Sequence, residues 1–335
     1  METLEFHYTI DTASEGLTIG SFLLSKGYSR RMIAQLKTWP RGILVNEAHV
    51  TTRHTLKKGE RLTTTIIEEA SSENIVPAPL PLRIVYEDRD LMVIHKAAGV
   101  PVHPSQNHYD HTLANGLAWY FMQQGRPYIC RIINRLDRDT SGLLIVAKHR
   151  LSAGILSGMV REHRIHREYL AIAEGQLPAR GSICLPIARV PGSTIERQVN
   201  LTAGEYALTH FQVLGRTDCL SLVCLRLETG RTHQIRVHLS TVGHPLFGDF
   251  IYHPACRREL SENSSDSLSF QSHGWNSSRY SLLSRQIKRQ ALHSWRLSFH
   301  HPITGKLLYF ISDMPEDMAN LLPISLTEEV RQLPF

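Results

Sequence analysis

The 335-residue sequence contains no apolar run close to the roughly 20 residues that a membrane-spanning helix needs. Its first ten residues, METLEFHYTI, lack the basic start and apolar centre of a signal peptide, so we expect a cytoplasmic protein with no membrane partner. The five cysteines are odd in number and include no CxxC pair. This pattern argues against both a disulfide framework and a zinc knuckle.

Motifs for metals and dinucleotides are also missing. There is no glycine-rich dinucleotide pattern, and no cluster of acids with metal-ligand spacing. His233 and His238 are five residues apart, which places them about 140° from each other around a helix, unlike the i, i+4 pair of zinc hydrolases. We therefore expect no metal and no small-molecule cofactor, and we discount a metal-dependent nuclease or hydrolase.

What the sequence does have is basic charge concentrated in two zones. The net charge is +6, which carries little information by itself. The segments 26–61 and 126–167 each contain nine Lys or Arg, against two acids in the first segment and three in the second. Two separated basic zones suit a long polyanion better than a small acidic metabolite.

The first basic zone has the pattern of a small RNA-binding domain. Residues 17–39 have apolar side chains at helical spacing, interrupted at Gly27, and the next segment alternates like strands with turns at Asn46-Glu47 and Lys58-Gly59. This order resembles the S4 RNA-binding domain. The resemblance implies RNA contacts at four basic positions: Arg30, Arg31, Lys37 and Arg41. The alternative is a domain that is basic but does not bind RNA.

Composition then suggests the domain boundaries. The stretch EEASSENIVPAPLPL is rich in Ser, Glu and Pro without apolar periodicity, which is typical of a linker. A serine-rich patch near residues 261–284 indicates a surface insertion. We expect a domain over residues 1–70, a linker over 71–82, a larger domain over 83–315 with an insertion at 253–290, and a peripheral C-terminal tail over 316–335.

One acid stands among arginines in the segment NRLDRDTSGLLIVA, residues 134–147. The residues after Asp137 have turn chemistry, and LLIVA has the length and composition of a buried strand. Asp137 is therefore predicted to lie in a loop anchored by a rigid strand, where chemistry is often found. The alternative is a simple surface pair with Arg135 or Arg138.

A second segment, LETGRTHQIRVHLSTVGHPLFGD at 227–249, indicates a short helix. Thr232 is its predicted N-cap, and the helix is expected to end at Gly243. Such a helix presents Arg231 before its first turn and Arg236 within it. Helix N-termini attract anions, which is consistent with a nucleic-acid partner.

These two segments resemble the signature blocks of RluA-type RNA pseudouridine synthases. Further blocks also match that family: HKAAGVPVHP, REYLAIAEG and LHSWRLSFHHPITGK. The resemblance implies an α+β catalytic domain with a mixed, largely antiparallel sheet and flanking helices, preceded by the small S4-like α/β domain. The chain departs from the family pattern at Asn134, where His is usual, and at Arg167, where Lys is more common.

The resemblance also implies roles for individual residues. Asp137 matches the catalytic carboxylate, and Arg236 matches the arginine that pairs with it. Tyr169 matches the tyrosine that packs on the extruded uracil, with an ordinary strand tyrosine as the alternative. Arg135 matches the arginine that fills the place of the target base, and Arg231 is assigned to the RNA backbone.

The implied activity is isomerisation of uridine to pseudouridine in structured RNA, without a cofactor. Large-subunit ribosomal RNA is the first expected substrate and transfer RNA the second, and we expect a monomer. The aspartate could attack C1′ or C6, or remove a proton at C2′. The alternative, which belongs to a different class of function, is a non-catalytic RNA-binding or ribosome-assembly protein with the same fold.

Overall fold

In the described residues, a four-stranded β-sheet lies at the N-terminal end and a nine-stranded one in the remainder, where residues 187–189 and 197–199 also form a separate two-stranded sheet. The computed structural model describes residues 2–68, 72, 74–105, 109–253 and 286–333. The first 68 residues form β1 (Glu2–Thr9), α1 (Ile19–Ser25), α2 (Arg30–Leu36), β2 (Ile43–Val45), β3 (Ala48–His49) and β4 (Arg61–Glu68). The other elements are β5 (Arg83–Glu87), β6 (Leu91–Lys96), α3 (Leu113–Gln123), β7 (Ser141–Ala147), α4 (Arg150–Arg161), β8 (His166–Glu174), β9 (Arg180–Cys184), β10 (Ile187–Arg189), β11 (Arg197–Val199), β12 (Leu208–Arg216), β13 (Leu220–Leu227), α5 (Gln234–Thr241), β14 (Leu292–His300), β15 (Leu307–Ile311), α6 (Glu316–Ala319) and α7 (Ile324–Gln332).

The N-terminal sheet is antiparallel in the order β1-β4-β2-β3 and shares a hydrophobic core with α1 and α2. The side-chain hydroxyls of Thr18 and Ser29 cap the two helices. Asn46 and Glu47 both have positive φ, as a tight hairpin turn requires. The predicted order of two helices followed by strands is confirmed, and β1 is a further strand that the sequence pattern did not indicate.

Buried contacts attach this N-terminal unit to the start of α4. Leu151 belongs to the hydrophobic core of the unit. Glu68, at the end of β4, pairs with Arg131 at 2.7 Å and accepts a hydrogen bond from the backbone N–H of Arg150 at 2.8 Å. The Glu68 side chain is only 4% exposed, so little solvent screens these interactions. The unit is therefore fixed against the start of helix α4, which follows Asp137, and against Arg131, which precedes it.

The larger sheet has the strand order β5-β6-β7-β14-β8-β13-β12-β9, and β15 pairs with the far end of β14. Among the described strands, only β7 and β14 run parallel; the other neighbours in this sheet are antiparallel. The prediction of a mixed, largely antiparallel sheet is therefore confirmed. β7 is buried along its whole length, as its composition indicated.

The segment between the two sheets contains no helix or strand at residues 72 and 74–82, but it is not loose. The backbone N–H of Ala78 donates to the carbonyl of Asn115 at 3.3 Å, and the Asn115 side-chain amide donates to the carbonyl of Val76 at 2.7 Å. Leu80 packs so closely on α3 that a Cβ added at Gly116 would lie 2.8 Å from it. The predicted linker is thus an extended segment held along α3.

The expectation of a peripheral tail after residue 315 is wrong. Met318 is fully buried, and Leu321, Leu322 and Val330 are buried with it in a cluster that includes Leu170 of β8. Helices α6 and α7 therefore cover one face of the sheet through apolar contacts at distant sequence positions, which local composition does not reveal.

The serine-rich insertion lies largely outside the described residues, at 254–285. Its described flanks, His253 and Arg289, are both buried. Within the described ranges, none of the helices combines the length and the apolar composition that spanning a bilayer requires.

Gly142 sets the close approach of β7 and β14, and its replacement provides a test of the sheet. Its φ is +109°, and a Cβ would lie 2.1 Å from the carbonyl oxygen of Ser294. We expect Gly142→Ala to lower the free energy of unfolding by more than about 3 kcal/mol, because neither backbone can give way. Urea denaturation followed by circular dichroism measures this change.

Gly158→Ala in α4 is the matched control. A Cβ there meets only the end of the Arg161 side chain at 3.8 Å, so we expect stabilisation by roughly 0.5–1 kcal/mol. Equal effects of the two substitutions would contradict this description of the β7–β14 contact.

Candidate active site

A cleft of about 1060 Å³ opens at the ends of the central strands. It is lined by the loop after β6, the loop before β7, the start of β8, and the segment from the end of β13 into α5. The two segments singled out in the sequence, around Asp137 and around Arg236, face each other across this cleft. They are about 100 residues apart in the chain, and the sheet brings them together.

The loop before β7 positions Asp137. The side chain of Asn134 accepts a hydrogen bond from the backbone N–H of Ile145 at 2.8 Å, which attaches the loop to the buried strand. The backbone N–H of Thr140 donates to the carbonyl of Asp137 at 3.1 Å and closes a turn. The predicted placement of Asp137 in a loop anchored by a strand is confirmed.

Asp137 does not pair with its arginine neighbours in sequence. Arg138 binds Asp139 instead. The Asp137 Oδ2 atom accepts a hydrogen bond from Arg236 Nη1 at 3.3 Å and lies 3.9 Å from His233 Nε2. Its side chain is 22% exposed, so the carboxylate faces the cleft rather than bulk solvent. The surface-pair alternative is wrong, and the predicted contact with Arg236 is present.

Arg236 is itself held by Asp249, a residue that the sequence reasoning missed. The guanidinium forms two hydrogen bonds to the Asp249 carboxylate, at 2.7 and 2.9 Å, and lies 4.9 Å from the centroid of the Tyr252 ring. Burial opposes the charged form of Arg236, but the hydrogen bonds and charge of Asp249, with Asp137, raise its pKa above the ordinary value. Arg236 therefore remains a fixed positive charge beside Asp137.

Asp249 ends the quoted segment PLFGD, which is the only signal that could have pointed to it. Its carboxylate is fully buried, and it also accepts hydrogen bonds from the backbone N–H groups of Ile251 and Tyr252, both at 3.1 Å. The acid is thus satisfied by one guanidinium and two amides.

Two further cations hold the backbone of the Asp137 loop. Lys96 is 1% exposed and donates to the carbonyls of Ala97, Val100 and Arg138 at 2.7–2.9 Å. Burial lowers the pKa of Lys96 to about 7, although the nearby acids oppose this effect. The three carbonyls can be satisfied together only by the ammonium form, since a neutral amine has two N–H bonds.

Arg289 provides the second backbone contact. Its Nη1 atom donates to the carbonyl of Asp139 at 3.2 Å, while its Nε and Nη2 atoms form a pair with Asp317 at 2.6 and 2.8 Å. Asp317 belongs to α6, so the C-terminal helices reach the loop through this arginine. Neither Lys96 nor Arg289 was singled out from the sequence, because their contacts are long-range.

Helix α5 begins at Gln234, one residue later than the sequence pattern suggested, so the assignment of Thr232 as N-cap is wrong. His233 occupies the cap position in a left-handed conformation, with φ +58° and no side-chain cap. Gln234, the first residue of the helix, holds the preceding segment in place, because its Oε1 atom accepts hydrogen bonds from the Arg231 N–H and the Thr229 hydroxyl. The conformation of His233 directs its ring toward Asp137.

The surroundings of His233 favour its neutral form. Burial lowers its pKa, and the neighbouring Arg236 adds to that effect, while Asp137 opposes it. Its Nδ1 atom shares a 2.7 Å hydrogen bond with the Tyr252 hydroxyl.

Tyr169 lies on β8 and lines the same cleft. Its side chain is almost completely buried, and burial raises the pKa of its hydroxyl, with Asp137 adding to the rise. It is therefore a neutral aromatic surface beside the carboxylate.

The predicted RNA-contacting residues fall into two groups. Arg135 and Arg231 line the cleft, where Arg135 is exposed and Arg231 pairs with Glu205. The other four do not line it and lie exposed on α2 and the turn that follows: Arg30, Arg31, Lys37 and Arg41.

A group of acids and a histidine elsewhere was not foreseen. Asp88, Asp90 and His301 place their ligand atoms within 4.8 Å of one another. However, His301 Nδ1 accepts from the backbone N–H groups of Ile303 and Thr304, so its proton is on Nε2, which donates to Asp88 at 2.8 Å. Neither nitrogen is open to a metal, and the group is a hydrogen-bond network that links two turns.

Comparison with known proteins identifies a family of similar sequences. A family model for RNA pseudouridylate synthases matches residues 90–241. The chain is 37% identical over 307 residues to YjbO of Bacillus subtilis, described as an uncharacterized RNA pseudouridine synthase, covering 91% of this chain and 98% of that protein. It is 39% identical over 253 residues to the ribosomal large subunit pseudouridine synthase D of Zymomonas mobilis, covering 73% of each.

A solved structure of a protein with a pseudouridylate synthase domain has a similar fold. The human protein named RNA pseudouridylate synthase domain containing 1 superposes with a TM-score of 0.50 at 25% identity. The match covers 80% of this chain and 99% of that one. The larger sheet therefore has the fold of pseudouridine synthases.

The Asp249–Arg236 pair gives a test of the site's construction. We expect Asp249→Asn to lower the free energy of unfolding by about 3–5 kcal/mol, because it leaves a buried guanidinium without its counter-charge. Glu162→Gln is the control, since its pair with Arg164 is more than half exposed and should contribute less than about 1 kcal/mol. Similar effects in urea denaturation would contradict the assigned importance of the buried pair.

Proposed function

The chain belongs to the family of RNA pseudouridylate synthases, and from this premise we propose that Asp137 is its catalytic carboxylate and large-subunit ribosomal RNA its substrate. The enzyme is an isomerase that converts uridine in RNA to pseudouridine. The observation that supports Asp137 is its position in the cleft, 3.3 Å from a buried arginine and in the same cleft as a buried tyrosine.

The reaction breaks the bond between uracil N1 and ribose C1′ and forms a bond from C5 to C1′. The hydrogen on C5 leaves as a proton and N1 gains one, so the product is an isomer and no net oxidation or reduction occurs. The glycosidic bond is inaccessible within folded RNA, and extrusion of the nucleotide costs a few kcal/mol. The cleft has room for an extruded nucleotide.

Arg236 would keep Asp137 reactive. Removal of water around a carboxylate favours its neutral form, whereas an adjacent guanidinium favours the charged form. Because Asp249 fixes Arg236 before RNA binds, the positive charge beside Asp137 is in place without rearrangement of the protein. Electrostatic preorganisation of this kind is commonly a large part of enzyme catalysis.

Tyr169 and Arg135 would handle the base. The ring of Tyr169 can pack on uracil, and stacking of this type contributes about 1–3 kcal/mol per base. Arg135 is exposed and makes no hydrogen bond or ion pair with the described residues, so it is available to occupy the position that the base leaves. This filling would offset part of the cost of extrusion.

The N-terminal unit would bind the RNA outside the cleft, as an S4-like domain. Its fixed contact with α4 would hold its exposed basic residues in a constant relation to the cleft. We propose that the N-terminal domain spans residues 1–70 and that the larger domain begins at residue 83 and includes α6 and α7, which pack on its sheet. Ribosomal RNA is preferred as substrate because the relative from Zymomonas mobilis is named for the large ribosomal subunit.

Tritium release tests the proposed function. RNA labelled with tritium at uridine C5 loses label to water when C5 becomes attached to the ribose. We expect wild-type protein to release tritium from large-subunit ribosomal RNA, and Asp137→Asn to lower the rate by at least about 10³-fold, because the amide carries no charge and is a poor nucleophile and base.

Asp139→Asn is the matched control. Asp139 lies two residues away and does not itself line the cleft, so release should remain near the wild-type rate. Release by Asp137→Asn at that rate would refute the assignment. Release from transfer RNA alone would refute the choice of ribosomal RNA.

The role of the N-terminal unit has a separate test. We expect a variant with Arg30, Arg31, Lys37 and Arg41 changed to Gln to raise KM about 10-fold or more and leave kcat within about twofold, because it removes only phosphate contacts. The slope of log affinity against log salt should become shallower by about 0.7–0.9 for each phosphate that the variant no longer neutralises.

A charge-matched control changes exposed residues of the larger domain to Gln: Arg83, Arg180, Lys288 and Lys306. If both variants raise KM equally, net charge rather than the N-terminal surface explains RNA binding. That outcome would contradict an RNA-binding role for this surface.

A further inference from the structure

Four arginines are buried in the described part of the chain, and three of them have carboxylate partners: Arg236 with Asp249, Arg289 with Asp317, and Arg296 with Glu168. The fourth, Arg167, is 8% exposed, and no hydrogen bond or ion pair joins its guanidinium to any described residue. Its Nε atom is completely buried without a partner. Burial of an unpaired charge costs free energy, so the environment of this arginine favours the binding of an anion.

The Arg167 side chain is largely buried, but it also lines the cleft. It lines the cleft together with Tyr169, which lies two residues further along β8. Alternate residues of a strand lie on the same face, about 7 Å apart. The Nη1 atom points to the loop at the end of β13, where a Cβ added at Gly230 would lie 3.3 Å away. The absence of a side chain at Gly230 leaves room for the guanidinium.

The charge of the cleft identifies the class of the missing ligand. Its lining includes seven arginines: Arg135, Arg138, Arg161, Arg167, Arg197, Arg231 and Arg236. Only two acids line it, Asp137 and Glu228. An uncharged carbonyl of uracil would satisfy one N–H of Arg167 but would not neutralise its charge. A phosphate does both, and guanidinium groups bind phosphate through two parallel hydrogen bonds.

We propose that Arg167 binds a backbone phosphate directly attached to the target nucleotide. This inference rests on the proposed function, in which the base packs on Tyr169 and the ribose lies at Asp137. The separation of about 7 Å between Tyr169 and Arg167 along the strand is comparable to the distance from a base to its own phosphate. The contact would fix the sugar relative to the carboxylate, so Arg167 would position the reacting nucleotide.

The test compares two small ligands, uridine and uridine 3′,5′-bisphosphate, by isothermal titration calorimetry. The bisphosphate carries both phosphates that flank a nucleotide in RNA. We expect the full-length wild-type protein to bind the bisphosphate about 10-fold or more tightly than uridine. Arg167→Gln should abolish this preference and leave uridine binding unchanged, while Arg167→Lys, which keeps the charge, should restore most of it.

Arg164→Gln is the matched control, because Arg164 is exposed, pairs with Glu162 and does not line the cleft. Its preference for the bisphosphate should equal that of wild type. In the absence of ligand, Arg167→Gln should leave the Tm unchanged or raise it, since it removes an unpaired buried charge. The comparison of the two ligands on wild-type protein alone also tests the proposal.

Three results would overturn the proposal. They are equal affinity of wild type for the two ligands, a preference that persists in Arg167→Gln, and an equal decrease in affinity for both ligands in that variant. Tritium release is scored separately. If the wild type turns over RNA but gives any of these three results, the phosphate contact is rejected and the proposed function stands. If the wild type does not turn over RNA, that result counts against the proposed function and not against the phosphate contact.

Discussion

The geometry of the cleft depends on the buried pair between Asp249 and Arg236. Asp249 is fully buried and satisfied by two bonds from the guanidinium and two from backbone amides. These bonds fix the orientation of Arg236 and leave its Nη1 atom for Asp137. An arginine held in this way is a charged neighbour whose position does not depend on substrate. The position of the guanidinium beside the proposed catalytic acid is therefore set by an acid 112 residues further along the chain.

The buried cations around the cleft divide into two kinds. Lys96, Arg236 and Arg289 are engaged with carbonyls or carboxylates of the protein, and they hold the loop and side chain of Asp137. Arg167 has no such partner among the described residues and faces the cleft. Cations of the first kind organise the acid, and a cation of the second kind is available to a polyanionic substrate. Whether a buried cation has a partner within the protein, more than the number of arginines, therefore decides whether it organises Asp137 or is available to bind the substrate.

Much of the architecture could be predicted from local patterns. The two N-terminal helices, the turn at Asn46-Glu47 and the buried strand after Asp137 follow from spacing and turn chemistry over a few residues. Long-range contacts could not be predicted in this way. No local pattern in the sequence marks Asp249 as a residue of the site. Likewise, no local pattern shows that the apolar faces of α6 and α7 pack on the sheet. The cap of α5 was misjudged because His233, in a left-handed conformation that the sequence pattern does not reveal, occupies the cap position instead of Thr232.

Pseudouridine mapping of ribosomal RNA is the measurement that decides whether Asp137 modifies this substrate. Cells lacking this protein would be compared with cells that express the wild type or Asp137→Asn from a plasmid. We expect at least one pseudouridine of the large-subunit RNA to be missing without the protein, to return with the wild type and to stay missing with Asp137→Asn. An unchanged modification pattern, or full restoration by Asp137→Asn, would contradict this expectation.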